Sequence, residues 1–259
     1  MNSLSWATYA LFTGLFAGIL ASLEIGFRIG RENSRKNPSL PFEGTGAMEA
    51  AIFSLLGLLL AFSFSGATAR FDARRQLIVQ EANTISTAYQ RLDLLPAADQ
   101  PAFRHLFREY LDARLQGFQR ILDRPAADQD FARAAQIEQQ IWSQALVAAL
   151  KDPSHDVSRL LLPALNQLSD VANQRAIALQ SYMPELIFWL LVCVTLMSAV
   201  LAGHAMARRE RRSWLHMVLF SAIISLTISI MFDFNYPRYG LIRIDAADKV
   251  LLQLRDSMQ

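Results

Sequence analysis

The chain has 259 residues, 53% of them hydrophobic and 19% charged, a composition that excludes a disordered or collagen-like protein. Its 25 Lys and Arg against 23 Asp and Glu leave a formal net charge of +2. That is no basic excess of the kind phosphate backbones attract, so nucleic acid is excluded as a partner.

Hydrophobicity is concentrated in four windows. Residues 1–23, 50–69, 186–207 and 213–232 contain no Asp, Glu, Lys or Arg, and each is close to the roughly 20 residues that cross a hydrocarbon core as a helix. The first window lacks a basic start and is followed by Glu24 and Arg28, so it reads as a membrane helix rather than a leader. The one cysteine, Cys193, lies in the third window and behaves as a small hydrophobe. The expected fold class is all-α: four transmembrane helices with an extramembrane helical bundle inserted between the second and third. The expected divisions are 1–69 for the first two spans, 70–182 for the bundle, 183–233 for the last two spans and 234–259 for a C-terminal turn and helix.

Along the first span Gly14, Gly18, Ser22, Gly26 and Gly30 recur every four residues, as Gly57, Ala61, Ser65 and Ala69 do along the second. Small residues at this spacing let membrane helices approach closely, and helix packing is their expected role, with a hinge as the alternative. No Gly or Pro separates Ala67 from Leu95, so the second span is expected to run on as one long rod to Pro96.

The stretch from Arg70 to Tyr182 holds 13 basic and 13 acidic residues and reads as a neutral, water-facing module. Asp99-Gln-Pro opens a helix to about Asp123, Pro125-Ala-Ala-Asp a second to about Lys151, and Pro153-Ser-His-Asp a third leading toward Pro184. Phe103, Leu106, Phe107, Tyr110, Leu111, Leu115 and Phe118 recur at helical spacing, the apolar stripe of a bundle helix. With the rod these make a four-helix bundle. After Asp233-Phe-Asn-Tyr-Pro-Arg-Tyr-Gly, a turn, residues 246–258 read as a short amphipathic helix.

Arg28, Arg31, Arg35 and Lys36 are assigned to the first short loop and Arg208, Arg209, Arg211 and Arg212 to the second, against Arg238, Arg243, Lys249 and Arg255 in the tail. Basic residues in short loops stay cytoplasmic, so the bundle and both termini are expected outside, in a multi-pass protein of the cell (inner) membrane.

Carboxylates near a bilayer are paired, hydrated or used. Glu24 has Arg28 four residues on, the spacing of a structural ion pair. Asp233 closes the last window with Arg238 nearby as a partner, and structural and functional roles both stand for it. Glu49 and Glu185 are expected to begin their helices and complement the dipole. In the rod, Arg70, Arg74, Leu77, Glu81, Thr84, Ala88 and Arg91 share a polar stripe. Arg74, Glu81 and Asn83 either fix register across the bundle or, around a central axis, form charged rings that set ion preference.

Enzyme signatures are missing: there is no Walker loop, dinucleotide glycine fingerprint, His-Glu-x-x-His or nucleophile elbow. His105 and Glu109 share a helix face without companion ligands and read as a surface ion pair. The expectation is no catalysis, no metal and no cofactor.

The run from Arg74 to Pro96 with its Glu81-Ala-Asn element, Glu24-Ile-Gly-Phe-Arg28, and Asp233-Phe-Asn-Tyr-Pro-Arg-Tyr-Gly-Leu-Ile-Arg243 resemble the bacterial bestrophin-like membrane proteins, a domain of unknown function. The resemblance covers nearly the whole chain. It implies a distant relation to bestrophins, pentameric anion channels whose second membrane helix lines a neck of bulky apolar residues one helical turn apart, with their soluble helices in the cytoplasm. Leu56, Leu60 and Phe64 match that neck spacing. The expected function is a homo-oligomeric ion channel passing small inorganic ions, anions by the resemblance, in the lipid bilayer. The alternative is a membrane-anchored helical-bundle sensor or scaffold acting through a partner protein.

Overall fold

A computed structural model describes residues 5–36, 45–121, 123–207, 213–236 and 244–258. Among them the chain is all-helical: α1 Ser5–Lys36, α2 Thr45–Gln90, α3 Gln100–Gln119, α4 Arg124–Lys151, α5 Leu162–Gln180, α6 Glu185–Met206, α7 Trp214–Asn235 and α8 Asp245–Ser257. Helices containing Trp6–Lys36, Gly46–Leu94, Val157–Met206 and Trp214–Asn235 are each long and apolar enough to cross a membrane. The chain divides into two compact units, Met1–Phe71 with Tyr182–Ile242 and Asp72–Ser181 with Arg243–Gln259.

In the first unit α1 packs against α6 and α7. Ile19 and Leu23 of α1, Ala199 of α6 and Met217 of α7 form one buried cluster, and Ala67 of α2, Leu191 of α6 and Met231 of α7 a second. The α1–α6 crossing is set by three glycines. A Cβ on Gly26 would sit 1.9 Å from the Val200 carbonyl oxygen, one on Gly203 2.0 Å from that of Leu23, and one on Gly30 2.8 Å from that of His204. These atoms belong to backbone and cannot swing aside, so only hydrogen fits there.

The helix ends differ from expectation in two places. Arg28, Arg31, Arg35 and Lys36 are not in a loop: they ride on α1, which continues to Lys36. The Gly26 and Gly30 contacts with α6 hold it helical, with Glu24–Arg28 and Glu32–Lys36 pairs spaced i, i+4. Glu49 does not begin α2, which starts at Thr45 and has no acidic residue in its first turn. Glu185 is the first residue of α6.

In the second unit α2 ends in a 3-10 turn, Arg91–Leu94, just before Pro96. Phe103, Phe107, Tyr110, Leu111, Leu115 and Phe118 of α3 are buried, and α3 packs against α4 and α8. Asp123 caps α4 by accepting from the Ala126 N–H at 3.4 Å, ahead of Pro125. Asp152 accepts from the N–H groups of Ser154 (3.0 Å) and Val157 (2.9 Å), opening a π-helical turn, Val157–Leu161, that leads into α5. On α8, Leu251 is buried, and Arg255 donates to both carboxylate oxygens of Asp112 on α3, at 2.9 and 3.3 Å.

Candidate functional site

The span of α2 is the least covered of the four. Of its most apolar stretch 11% is buried, against 28%, 28% and 33% in the helices containing α1, α6 and α7. Its contacts are along one side. Leu56 is 3% exposed, Leu60 packs on the Ala67–Leu191–Met231 cluster, and the Phe64 ring meets Phe234 edge-on with centroids 5.8 Å apart. Within the row with neck spacing, Leu56 and Leu60 therefore turn toward the chain's own helices, while Phe64 remains 37% exposed. The reason is periodicity, since an apolar helix carries several rows at i, i+4 spacing and tertiary packing chooses among them. The uncovered rows hold Leu55, Leu58 and Phe62, the last 69% exposed.

The small residues are divided in the same way. Gly57, Ala61 and Ser65 are exposed, and a Cβ on Gly57 would meet nothing within 4 Å. On α1, Gly14 is equally open, Gly18 lies at an ordinary 3.6 Å from Leu196, and Ser22 is half-buried. Packing within the chain thus uses Gly26, Gly30 and Gly203, and the Gly57–Ala61–Ser65 stripe plays no part in it.

At the ends of the spans the polar groups are paired. Arg28 donates to Glu24 at 2.7 Å on the surface of α1. Asp233, 2% exposed, accepts from the Thr8 hydroxyl at 2.9 Å, tying the start of α1 to the end of α7. The partner considered from sequence, Arg238, lies outside the described residues. Asn235 accepts from Arg70 and from the Met183 N–H, both at 3.3 Å.

A buried charge network organises the second unit. Glu81 on α2 is fully enclosed and accepts from Arg114 on α3, Nε at 2.7 Å, and from Arg175 on α5. The Arg175 guanidinium lies 3.4 Å from the centre of the Phe118 ring, and that of Arg114 5.1 Å from it. Two cations on one carboxylate leave a surplus positive charge, which the aromatic face stabilises. Burial alone would raise the Glu81 carboxyl, but the two guanidiniums outweigh it and hold it below the usual carboxylate range. Glu81 lies beyond the span counted as residues 50–69. Arg74, 5% exposed, donates to the carbonyls of Ala178 (3.0 Å) and Ser181 (2.7 Å), capping the end of α5 where a cation complements the dipole.

Glu81 and Arg74 thus find their partners inside one chain. Asn83 is exposed and stands apart from the network. His105 and Glu109 pair at 3.6 Å on the surface of α3. Sequence reasoning missed Thr8, Arg114, Arg175 and Asn235. For two of them a signal existed: Arg114 sits in the apolar stripe of α3 between Leu111 and Leu115, and Arg175 follows Leu168 and Ala172 on the buried face of α5.

Four membrane-length apolar helices and an all-helical chain define a multi-pass membrane protein. A model of the bestrophin-like domain matches residues 9–248, and the chain belongs to that family. No curated protein and no solved structure matches it.

Proposed function

We propose that the chain is one subunit of a homo-oligomeric ion channel in the inner membrane, with α2 against the central axis. The observation that carries this is the cover on α2. In a lone chain it is the least covered span, with Leu55, Leu58 and Phe62 and the small residues Gly57, Ala61 and Ser65 uncovered together. Small residues admit a neighbouring backbone, and a row of apolar side chains at a constriction gates ions by dewetting. Family membership supports the same reading. The gate, on this reading, belongs to the uncovered rows of α2 and not to Leu56 and Leu60.

The test is particle classes of the nanodisc-embedded protein followed by ion flux in liposomes. A closed ring of four or more with flux raised by Phe62→Ala is expected; a monomer or dimer overturns the reading. The bundle and termini are placed outside. His155→Cys, in a Cys193→Ser background, should then react with an impermeant thiol reagent in intact cells. Labelling only after the membrane is opened would reverse the orientation.

One observation favours the sensor or scaffold reading: α2 is unbroken from Thr45 to Gln90, so a single helix carries both membrane residues and buried Glu81. If no ring forms, displacement of that helix by a partner protein becomes the leading account.

A further inference from the structure

Within the second unit, a cleft of about 380 Å³ opens between α4 and α5, with Tyr110 of α3 at its floor. Tyr110 is 1% exposed, and its hydroxyl has no hydrogen-bond partner. A buried hydroxyl left unbonded is costly, and native structures keep such a group for a reason. Burial, ahead of the charges around it, pushes the phenol well above its ordinary range, so the hydroxyl keeps its proton and can donate.

The rest of the lining states what is recognised. Glu138, half-buried, is its sole charged residue, and neither Lys nor Arg lines the cleft. Among the described residues Glu138 is in no ion pair, unlike Glu81, Glu109 and Asp130 nearby in the same unit. Trp142 stands one helical turn further along α4. Asn166, Ser169 and Asn173 of α5 supply donors and acceptors from the opposite wall. Arg114, the cation whose charge Glu138 also stabilises, is already bound to Glu81 and does not line the cleft. A carboxylate beside an indole, with no cation on the lining itself, suits an ammonium group by charge and by cation–π attraction, and disfavours an anion. The volume lies in the range of small-ligand sites.

We infer that this cleft binds a small amino alcohol. Its ammonium lies against Glu138 and Trp142, and its hydroxyl accepts from the otherwise unbonded Tyr110. The site is separate from the membrane span of α2 and does not depend on conduction, so its test and that of the channel stand or fall apart.

The full chain is reconstituted in phosphatidylglycerol nanodiscs and titrated by calorimetry with choline, tetramethylammonium, glycerol and acetate. Choline should bind saturably, tetramethylammonium more weakly, and glycerol and acetate not at all. Glu138→Gln, a change on a half-exposed surface, should weaken both ammonium compounds by about tenfold or more. Tyr110→Phe should bring choline down to the level of tetramethylammonium and leave the latter unchanged, a pattern that general unfolding cannot give. Phosphatidylethanolamine carries an ammonium but no free hydroxyl, its ethanolamine oxygen being esterified to phosphate, so repeating the titration in discs that contain it separates a free amino alcohol from a lipid headgroup. Unchanged choline binding supports the free amino alcohol, and binding blocked in those discs alone overturns it in favour of a lipid headgroup. Three further results would each overturn the assignment: absence of saturable choline binding, equal binding by Glu138→Gln, or binding of acetate as strong as that of choline.

Discussion

A charge inside a protein is tolerated only where its partners are in place, and Glu81 has two. Replacing it by Gln leaves Arg114 and Arg175 buried against Phe118 with no carboxylate between them. Removing one member of a buried charge network costs about 3–5 kcal/mol, so Glu81→Gln should lower the thermal midpoint of the purified protein by many degrees. Acid gives the same residue a second signature. The folded carboxyl titrates below the free one, so its stabilising effect is complete above about pH 5 and is lost as the pH falls through the folded value. A midpoint measured from pH 7 to pH 3 should fall more steeply for the wild type than for Glu81→Gln; parallel curves would show that Glu81 is not the group lost. The sequence marked Glu81 as needing partners but could not name them, since 33 and 94 residues separate it from Arg114 and Arg175. Each arginine interrupts an apolar stripe, which marks a buried charge without saying to whom it is paired. Asn83, two residues from Glu81, points elsewhere because two helical steps turn a side chain by about 200°.

At the scale of elements, the crossing of α1 and α6 depends on close backbone approach at Gly26 and Gly203. Gly203→Ala would place a methyl group 2.0 Å from the Leu23 carbonyl oxygen, and the helices would have to move apart. Overpacking of this kind costs about 1–3 kcal/mol or more. Gly14→Ala meets nothing within 4 Å and should leave folding unchanged. Fluorescence-detected size exclusion after heating separates the two; equal survival would mean that α1 and α6 do not approach as described. The all-helical character and the starts of α3, α4 and α6 were legible here because charge-free windows, prolines and capping aspartates are local features. Which glycines pack was not, because a repeat every four residues marks a face without saying what lies opposite it. The length of α1 was underestimated for a related reason: four basic residues read as a loop, whereas contacts of Gly26 and Gly30 carry the helix through them.

For the whole molecule the consequence lies in the two sides of α2. Leu56 is buried against the chain's own helices, whereas Leu55 and Phe62 are uncovered, and the two groups should fail differently. Leu56→Ala removes packing inside one subunit and should cost about 2–5 kcal/mol, lowering the thermal midpoint whether or not subunits associate. Phe62→Ala removes no contact that shields it in the single chain, so the midpoint of a dissociated subunit should hold. If α2 faces an axis, that substitution instead widens a constriction, and ion flux per ring should rise without change in ring size. If the uncovered side faces only lipid, neither flux nor ring size will respond, since one apolar side chain against acyl chains replaces another. The resemblance to channels singled out Leu56, Leu60 and Phe64 by spacing alone, and spacing cannot say which row of an apolar helix is buried. That choice is made by α6 and α7, which cover one side of α2 through Leu191 and Met231 and leave the other for lipid or a second subunit. Flux and midpoint measured together on Leu56→Ala and Phe62→Ala therefore decide between those two occupants.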